Sequence, residues 1–177
     1  SHTHLSGTGA GDLYDISYMP VTLPYREAEA PLGIHSKFRH SDEEASAGYY
    51  RVLLKDYNIN VELTATERCG IQRYTFPKAQ SAVFLNLKKA MNWDFTQDSH
   101  IEVVDSCTIQ GYRFSDGWAR GQRVFFRTRF SKPFRSSEID TTAIIQDGKT
   151  IGTAYVARFN FDTTDGEEIV SVSYTHL

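Results

Sequence analysis

The chain has 177 residues, of which 40% are hydrophobic and 23% are charged, and its formal net charge is −3. This composition excludes a disordered chain, a collagen-like chain and a generally basic nucleic-acid-binding protein. No segment approaches the roughly 20 apolar residues of a membrane-spanning helix, and the length fits one domain. Cys69 and Cys107 could pair, but two cysteines do not make a disulfide scaffold, and free thiols are favoured.

Residues 1–47 differ from the rest of the chain. They contain Pro20, Pro24 and Pro31, four of the six histidines, and little alternation of apolar and polar residues. A long irregular segment in a compact domain is usually functional or a linker. We therefore predict an irregular functional loop region over residues 1–47. Because the chain opens at Ser1 without Met, we also expect it to be part of a longer protein, with any export signal upstream.

Period-two alternation dominates the remaining sequence and predicts strands. Turn signals separate these strands, and Asp147-Gly148 is typical of a type I′ hairpin. Only Leu87–Trp93 looks helical, and it is short. We predict an all-β fold, an antiparallel β-sandwich forming a single domain over residues 1–172, and we interpret residues 173–177 as a cloning or adapter remnant. The predicted strands are Gly48–Lys55, Ile59–Thr66, Ile71–Phe76, Ser81–Leu87, His100–Asp105, Thr108–Phe114, Gln122–Phe130, Thr141–Gln146, Gly152–Phe161 and Ile169–Val172.

The first nine residues, SHTHLSGTG, are the densest cluster of polar and small side chains. In an extended segment, His2 and His4 lie on the same face. Spacing alone leaves three interpretations open: a zinc or iron site, hydrogen bonding to a sugar or other substrate, or structural histidines. Asp12 and Asp15 are the nearest carboxylates, and no third ligand follows at a telling spacing. Gly7-x-Gly9-x-Gly11 is not a phosphate loop, because no buried strand precedes it and no amphipathic helix follows it.

A catalytic pair of carboxylates, as glycoside hydrolysis requires, is not evident in the sequence. Glu43 and Glu44 are adjacent on a predicted strand, so they point to opposite faces and cannot flank one bond. They belong either to a solvated loop or to hydrogen bonds with Tyr49, Tyr50 or an arginine. The aromatic residues around Tyr112, Trp118 and Phe125 are typical of a sandwich core, although Trp118 could also stack on a sugar ring.

Several of these segments together resemble one family, the N-terminal domain of family-92 glycoside hydrolases, which are calcium-dependent exo-acting α-mannosidases. The similarity extends over residues 1–162. Ala47 departs from the family pattern, in which proline is common there, and the last dozen residues lose the pattern. The resemblance rests on Ser1–Pro20, Glu44–Tyr50, Val61–Thr66, Arg73–Pro77, Gly111-Tyr112-Arg113, Gly117-Trp118 and Phe130–Phe134.

The resemblance implies a β-sandwich of galactose-mutarotase-like (supersandwich) type, followed in the complete enzymes by an (α/α) toroid. The general acid, the general base and most calcium ligands then lie in that helical domain, so this chain holds no catalytic residue and no metal ligand of its own. The opening segment is expected to form part of the sugar pocket, because imidazoles, hydroxyls and backbone N–H groups match the hydroxyls of a mannoside. The candidate substrate-binding residues carried over are His2, His4, Ser6, Thr8, Gly9 and Asp12.

These implications give a specific functional hypothesis. The chain is expected to be the inactive N-terminal part of an inverting, α-1,2-type α-mannosidase that trims N-glycans or mannans and is exported from a bacterium. Its expected partners are a mannose-containing glycan and the helical domain of the same polypeptide, with no nucleic acid and no membrane span. Two alternatives stay open: a stand-alone carbohydrate-binding module, with Trp93 or Trp118 exposed for stacking, and a ligand-free docking domain with an exposed apolar sheet face.

Overall fold

A computed structural model describes residues 15–25, 33–88, 94–117 and 119–176. The described residues form twelve strands and one 3-10 helix at His40–Asp42. Within this part of the chain, no helix has the length and apolar character that crossing a membrane requires. The strands are β1 (Ser17–Thr22), β2 (Glu43–Ser46), β3 (Tyr49–Leu54), β4 (Ile59–Ala65), β5 (Cys69–Phe76), β6 (Ala79–Asn86), β7 (Phe95–Asp105), β8 (Thr108–Asp116), β9 (Gln122–Phe130), β10 (Ser136–Gln146), β11 (Lys149–Thr163) and β12 (Glu167–His176).

The strands form two antiparallel sheets. The small sheet has the order β1-β6-β11-β10, and the large sheet has the order β2-β3-β4-β5-β12-β9-β8-β7. The inner faces of the two sheets meet in one core in which Phe130 packs on Phe159 and Phe161 at ring-centroid distances of 5.7 and 5.6 Å. The predicted antiparallel β-sandwich is therefore confirmed.

Most strand positions agree with the sequence prediction, because period-two alternation indicates a strand with one buried face. In β9, Val124, Phe126, Thr128 and Phe130 are buried, while the residues between them are exposed. The β10–β11 hairpin has the predicted turn, with positive φ at both Asp147 (50°) and Gly148 (73°), as a type I′ turn requires. Cys69 and Cys107 are both free thiols.

Two predictions about the ends of the domain need correction. Residues 1–47 are not irregular throughout, because they contain β1 and β2. Strand β1 was not predicted because it contains Pro20, which cannot donate a backbone hydrogen bond to a neighbouring strand. Proline is nevertheless tolerated on an edge strand, and β1 is the edge of the small sheet. The strand predicted at Ile169–Val172 runs over Glu167–His176, since Ser173 and Tyr174 continue the pairing with β5 and β9. The interpretation of residues 173–177 as a remnant stays a prediction.

The first half of β11 stays paired with β10, but it extends past the end of β6 and runs beside β7. Strand β6 ends at Asn86, opposite Val156, so the earlier residues of β11 need other partners on that side. Side chains of β7 provide them: the backbone N–H of Thr153 donates to Asp98 Oδ1 (2.9 Å), and that of Tyr155 donates to Ser99 Oγ (2.9 Å). The hairpin is thereby fixed to the edge of the large sheet.

Candidate functional site

The six predicted sugar-binding residues (His2, His4, Ser6, Thr8, Gly9 and Asp12) lie outside the described residues, as do Trp93 and Trp118. Asp15 is the first residue that the structure describes, and it directly follows residues 1–14. The surroundings of the candidate residues are therefore defined by the described residues next to them in the chain.

Asp15 is completely buried and is bound by an arginine from the large sheet. Arg113 Nη1 donates to Asp15 Oδ1 over 2.6 Å, and neither side chain is exposed to solvent. Ser115, two residues further along β8, donates from Oγ to the same carboxylate oxygen at 3.4 Å. Both Arg113 and Ser115 are at inward-facing positions of β8. The end of the segment that contains the candidate residues is thus tied to the interior of the sandwich.

A second buried carboxylate binds the other arm of the same guanidinium. Arg113 Nη2 donates to Asp94 Oδ2 over 3.1 Å, while Nε donates to Thr96 Oγ1 (2.9 Å) and to the Leu87 carbonyl (3.1 Å). A buried guanidinium needs such partners, because its five donors lose their hydration together. Asp94 is the first described residue after residues 89–93, and Leu87 lies just before them. Arg113 therefore binds both ends of that short stretch.

Two other parts of the chain meet at Arg113 of β8. Asp15 directly follows residues 1–14, and Asp94 directly follows residues 89–93. We refer to Asp15, Asp94, Thr96 and Arg113 as the arginine cluster. It is a support, and it is not a reaction centre, since its charged side chains are at most 1% exposed and are bound to one another.

The sequence did not reveal this cluster. In the sequence, Asp15 is one of the carboxylates nearest to His2 and His4, but the structure places it against Arg113. A usable signal existed: β8 alternates Ile109, Gly111, Arg113 and Ser115 on its inward face. A charged residue in such a series is almost never buried without a partner. What the sequence did not supply was the identity of that partner.

The described residues do not bring a set of metal ligands together. No group of three or more His, Cys, Asp or Glu side chains there could hold a metal ion. The two carboxylates that do come together, Asp15 and Asp94, are already neutralised by a guanidinium. The described residues therefore do not fit a calcium site.

The charged run before β3 is a solvated surface. Glu44 Oε2 lies 3.2 Å from Arg51 Nη2 with both side chains exposed, so Glu44 pairs with an arginine, one of the two expected arrangements. Tyr49 donates instead to Glu62 Oε1 over 2.7 Å. Separately, a shallow depression of about 450 Å³ is lined, among the described residues, by Leu23, Pro24, Tyr25 and Gln80, none of which is acidic.

Comparison with solved structures shows the same architecture in larger proteins. The α-mannosidase BT3965 of family GH92 from Bacteroides thetaiotaomicron, solved alone and with mannoimidazole, superposes with a TM-score of 0.84 at 28% identity and covers 98% of this chain. The inverting mannosidase BT2199 from Bacteroides thetaiotaomicron VPI-5482 superposes with a TM-score of 0.70 at 19% identity over 90% of this chain. At that identity the second comparison supports the fold alone. The chain spans about a quarter of the length of BT3965 (25%).

Comparison with curated proteins finds no match. The family comparison is decisive: residues 1–173 match the glycosyl hydrolase family 92 N-terminal domain. This match extends over both sheets and includes the opening segment and the arginine cluster. The resemblance seen in the sequence is confirmed, and the chain belongs to glycosyl hydrolase family 92, as its N-terminal domain.

Proposed function

We propose that this domain forms one wall of the sugar-binding site of an exo-acting α-mannosidase and that it transfers no proton itself. The observation that carries the proposal is the family match over residues 1–173, and the arginine cluster gives it a physical basis. The opening segment, with His2, His4, Ser6, Thr8, Gly9 and Asp12, ends at a completely buried ion pair. Such an anchor holds the base of a binding segment at a defined place, as a preorganised site requires.

The proposed division of labour follows from what the buried carboxylates can do. An acid or base in glycoside hydrolysis must reach the glycosidic oxygen or the attacking water. Asp15 and Asp94 cannot reach a substrate, because both are inside the sandwich and bound to Arg113. In line with the family resemblance, we assign the general acid and base to the rest of the polypeptide, which in BT3965 is about three times as long as this domain.

The finer features of the proposal concern the complete enzyme. We propose an inverting, α-1,2-type α-mannosidase acting on N-glycans or mannans, with calcium bound mostly by ligands outside this chain. Calcium prefers clusters of oxygen ligands, and it would supply contacts to sugar hydroxyls. We also propose a bacterial, exported enzyme, in the periplasm or at the cell surface.

The opening segment can be tested by substitution in the polypeptide of the complete reading frame. His4→Ala and Asp12→Asn are each expected to lower kcat/KM for an aryl α-mannoside at least tenfold, because each removes a polar group from the sugar wall. Thr150→Ala, at an exposed position of the β10–β11 hairpin, is the matched control and should leave kcat/KM unchanged. Wild-type kcat/KM in both variants, with unchanged thermal unfolding, would contradict the proposed role.

A further inference from the structure

Five aromatic rings are in continuous contact across the edge of the large sheet. We call them the aromatic ribbon: Tyr155, His100, Tyr112, Phe114 and Phe125. The successive centroid distances are 5.1, 5.9, 4.5 and 5.8 Å. The ribbon begins on β11, where the hairpin lies beside β7, and ends on β9. It therefore crosses four strands and joins the hairpin to the large sheet.

Four of the five rings lie on the outer face of the large sheet, those of His100, Tyr112, Phe114 and Phe125, whereas Tyr155 is partly buried against the core. The neighbours of Phe125 on β9, Val124 and Phe126, are buried, whereas Phe125 itself is 46% exposed. Tyr112 is held in place by donating to Asp98 Oδ2 over 3.0 Å, and the other oxygen of Asp98 accepts the Thr153 N–H. An exposed aromatic surface fixed in this way loses little conformational entropy when a partner binds.

Arginines flank the ribbon and have neutral partners. The Arg123 guanidinium lies 5.4 Å from the Phe114 centroid, and Arg127 Nη1 donates to Gln110 Oε1 over 3.0 Å. Both arginines are exposed. Two exposed arginines beside aromatic rings favour a partner that carries carboxylates.

The geometry of the rings favours a protein partner over a sugar. A sugar binds over an open ring face. Neighbouring rings of the ribbon instead stack on each other, with interplanar angles of 28° between His100 and Tyr112 and 24° between Tyr112 and Phe114. Stacked rings on a sheet present mainly their edges to the outside. Tyr, Phe and Arg are also the side chains enriched in the buried centres of protein interfaces.

We infer that the aromatic ribbon, with Arg123 and Arg127, is the surface on which the remainder of the same polypeptide docks through an apolar and acidic patch. Two findings identify this occupant. The matched family domain is an N-terminal one, and BT3965 contains about three times as much further chain. The inference rests on the proposed function only in taking this longer polypeptide as the partner.

Hydroxyl-radical footprinting tests the inference without depending on catalysis. Modification of Tyr112 and Phe125 is measured in the 177-residue chain and in the polypeptide of the complete reading frame. We expect at least a fivefold lower rate in the longer polypeptide, while Phe38, which is 50% exposed in the loop before β2, changes less than twofold. Equal rates for Tyr112 and Phe125 in both proteins would overturn the inference. Protection that appears only with mannobiose, or only at high concentration of the short chain, would also overturn it, in favour of a sugar site or self-association.

A pair of substitutions separates docking from folding. In the 177-residue chain, Phe125→Glu and the control Phe38→Glu should both leave the thermal midpoint nearly unchanged, because both side chains are half exposed. In the longer polypeptide, Phe125→Glu should return the modification rate of Tyr112 to that of the short chain, and Phe38→Glu should not. Continued protection of Tyr112 in the Phe125→Glu protein would contradict docking on the ribbon.

Discussion

Arg113 and Asp15, which are 98 residues apart in the sequence, form a completely buried ion pair with Nη1 and Oδ1 separated by 2.6 Å. The pair fixes Asp15, which directly follows residues 1–14, in the interior of the sandwich. Asp94, which directly follows residues 89–93, binds the same guanidinium. A buried ion pair is weak evidence for stability by itself. Its value here is positional, because it holds Asp15 and Asp94 at one place in the core.

Removal of the guanidinium should strongly destabilise the domain. Arg113→Met leaves two carboxylates buried without their cation, and such a loss costs about 3–5 kcal/mol in the free energy of unfolding. Urea unfolding measures the change. Arg127→Met, on the exposed face of neighbouring β9, is the control and should stay within about 0.5 kcal/mol of the wild type. If both variants lose the same small amount, the arginine cluster does not support the fold.

Replacing the whole cluster distinguishes an uncompensated charge from lost packing. The triple variant Arg113→Met, Asp15→Leu, Asp94→Leu removes all three charges together. Apolar replacements of a buried ionic group are often neutral or stabilising. We therefore expect the triple variant to be more stable than Arg113→Met alone, again by urea unfolding. A triple variant less stable than the single one would mean that the hydrogen bonds of the cluster, and not charge compensation, dominate.

Gly152 permits the close passage of β11 over β7. An added Cβ would lie 2.0 Å from the Gln97 carbonyl oxygen and 2.9 Å from Asp98 Cβ, so backbone would have to move. Gly152→Ala should cost about 1–3 kcal/mol, as overpacking does, and should speed amide exchange at Thr153 and Tyr155. Thr150→Ala, exposed on the same hairpin, serves as the control. Unchanged exchange at both amides would show that the hairpin is not fixed by this contact.

Glu62 should make stability depend on pH. Two hydrogen bonds of 2.7 Å from Arg73, and a further one from Tyr49, hold the pKa of Glu62 below its ordinary value of 4.5. A lowered pKa stabilises the folded state above the unfolded pKa, and this contribution is lost as the pH falls through the folded pKa. Glu62→Gln should therefore be less stable than the wild type at pH 7, and the difference should shrink below about pH 4.

The control for this pH dependence is Glu44→Gln. Glu44 and its partner Arg51 are both exposed, and exposed pairs contribute little. The unfolding free energy of the Glu44→Gln variant should equal that of the wild type at pH 7 and at pH 3. A Glu62→Gln difference that is constant from pH 7 to pH 3 would indicate lost packing instead of lost charge.

Sequence patterns predicted the strands well where one face is buried, as in β4 and β9. They failed where that condition does not hold. Strand β10 has no buried residue, so only its second half was predicted, and β1 contains Pro20 in an edge position. The turn at Asp147 and Gly148 was predictable because positive φ restricts the residues that can occupy it.

The supports of the site were much less predictable than the strands. The partners of Arg113 come from sequence positions 15, 87, 94 and 96, and only the paired sheets bring them together. The aromatic ribbon combines β7, β8, β9 and β11 in the same way. Alternation indicated that Phe125 and Tyr112 belong to strands, but it did not reveal that both rings contact Phe114 on the outer face of the large sheet.

The most direct test of the account is mannose release from an aryl α-mannoside in the presence of calcium. The assay compares the 177-residue chain, shown to be folded by its cooperative unfolding, with the polypeptide of the complete reading frame. The account predicts release by the longer polypeptide and none above background by the short chain, because it assigns the general acid and base to the rest of the polypeptide. Release of mannose by the short chain alone would contradict it.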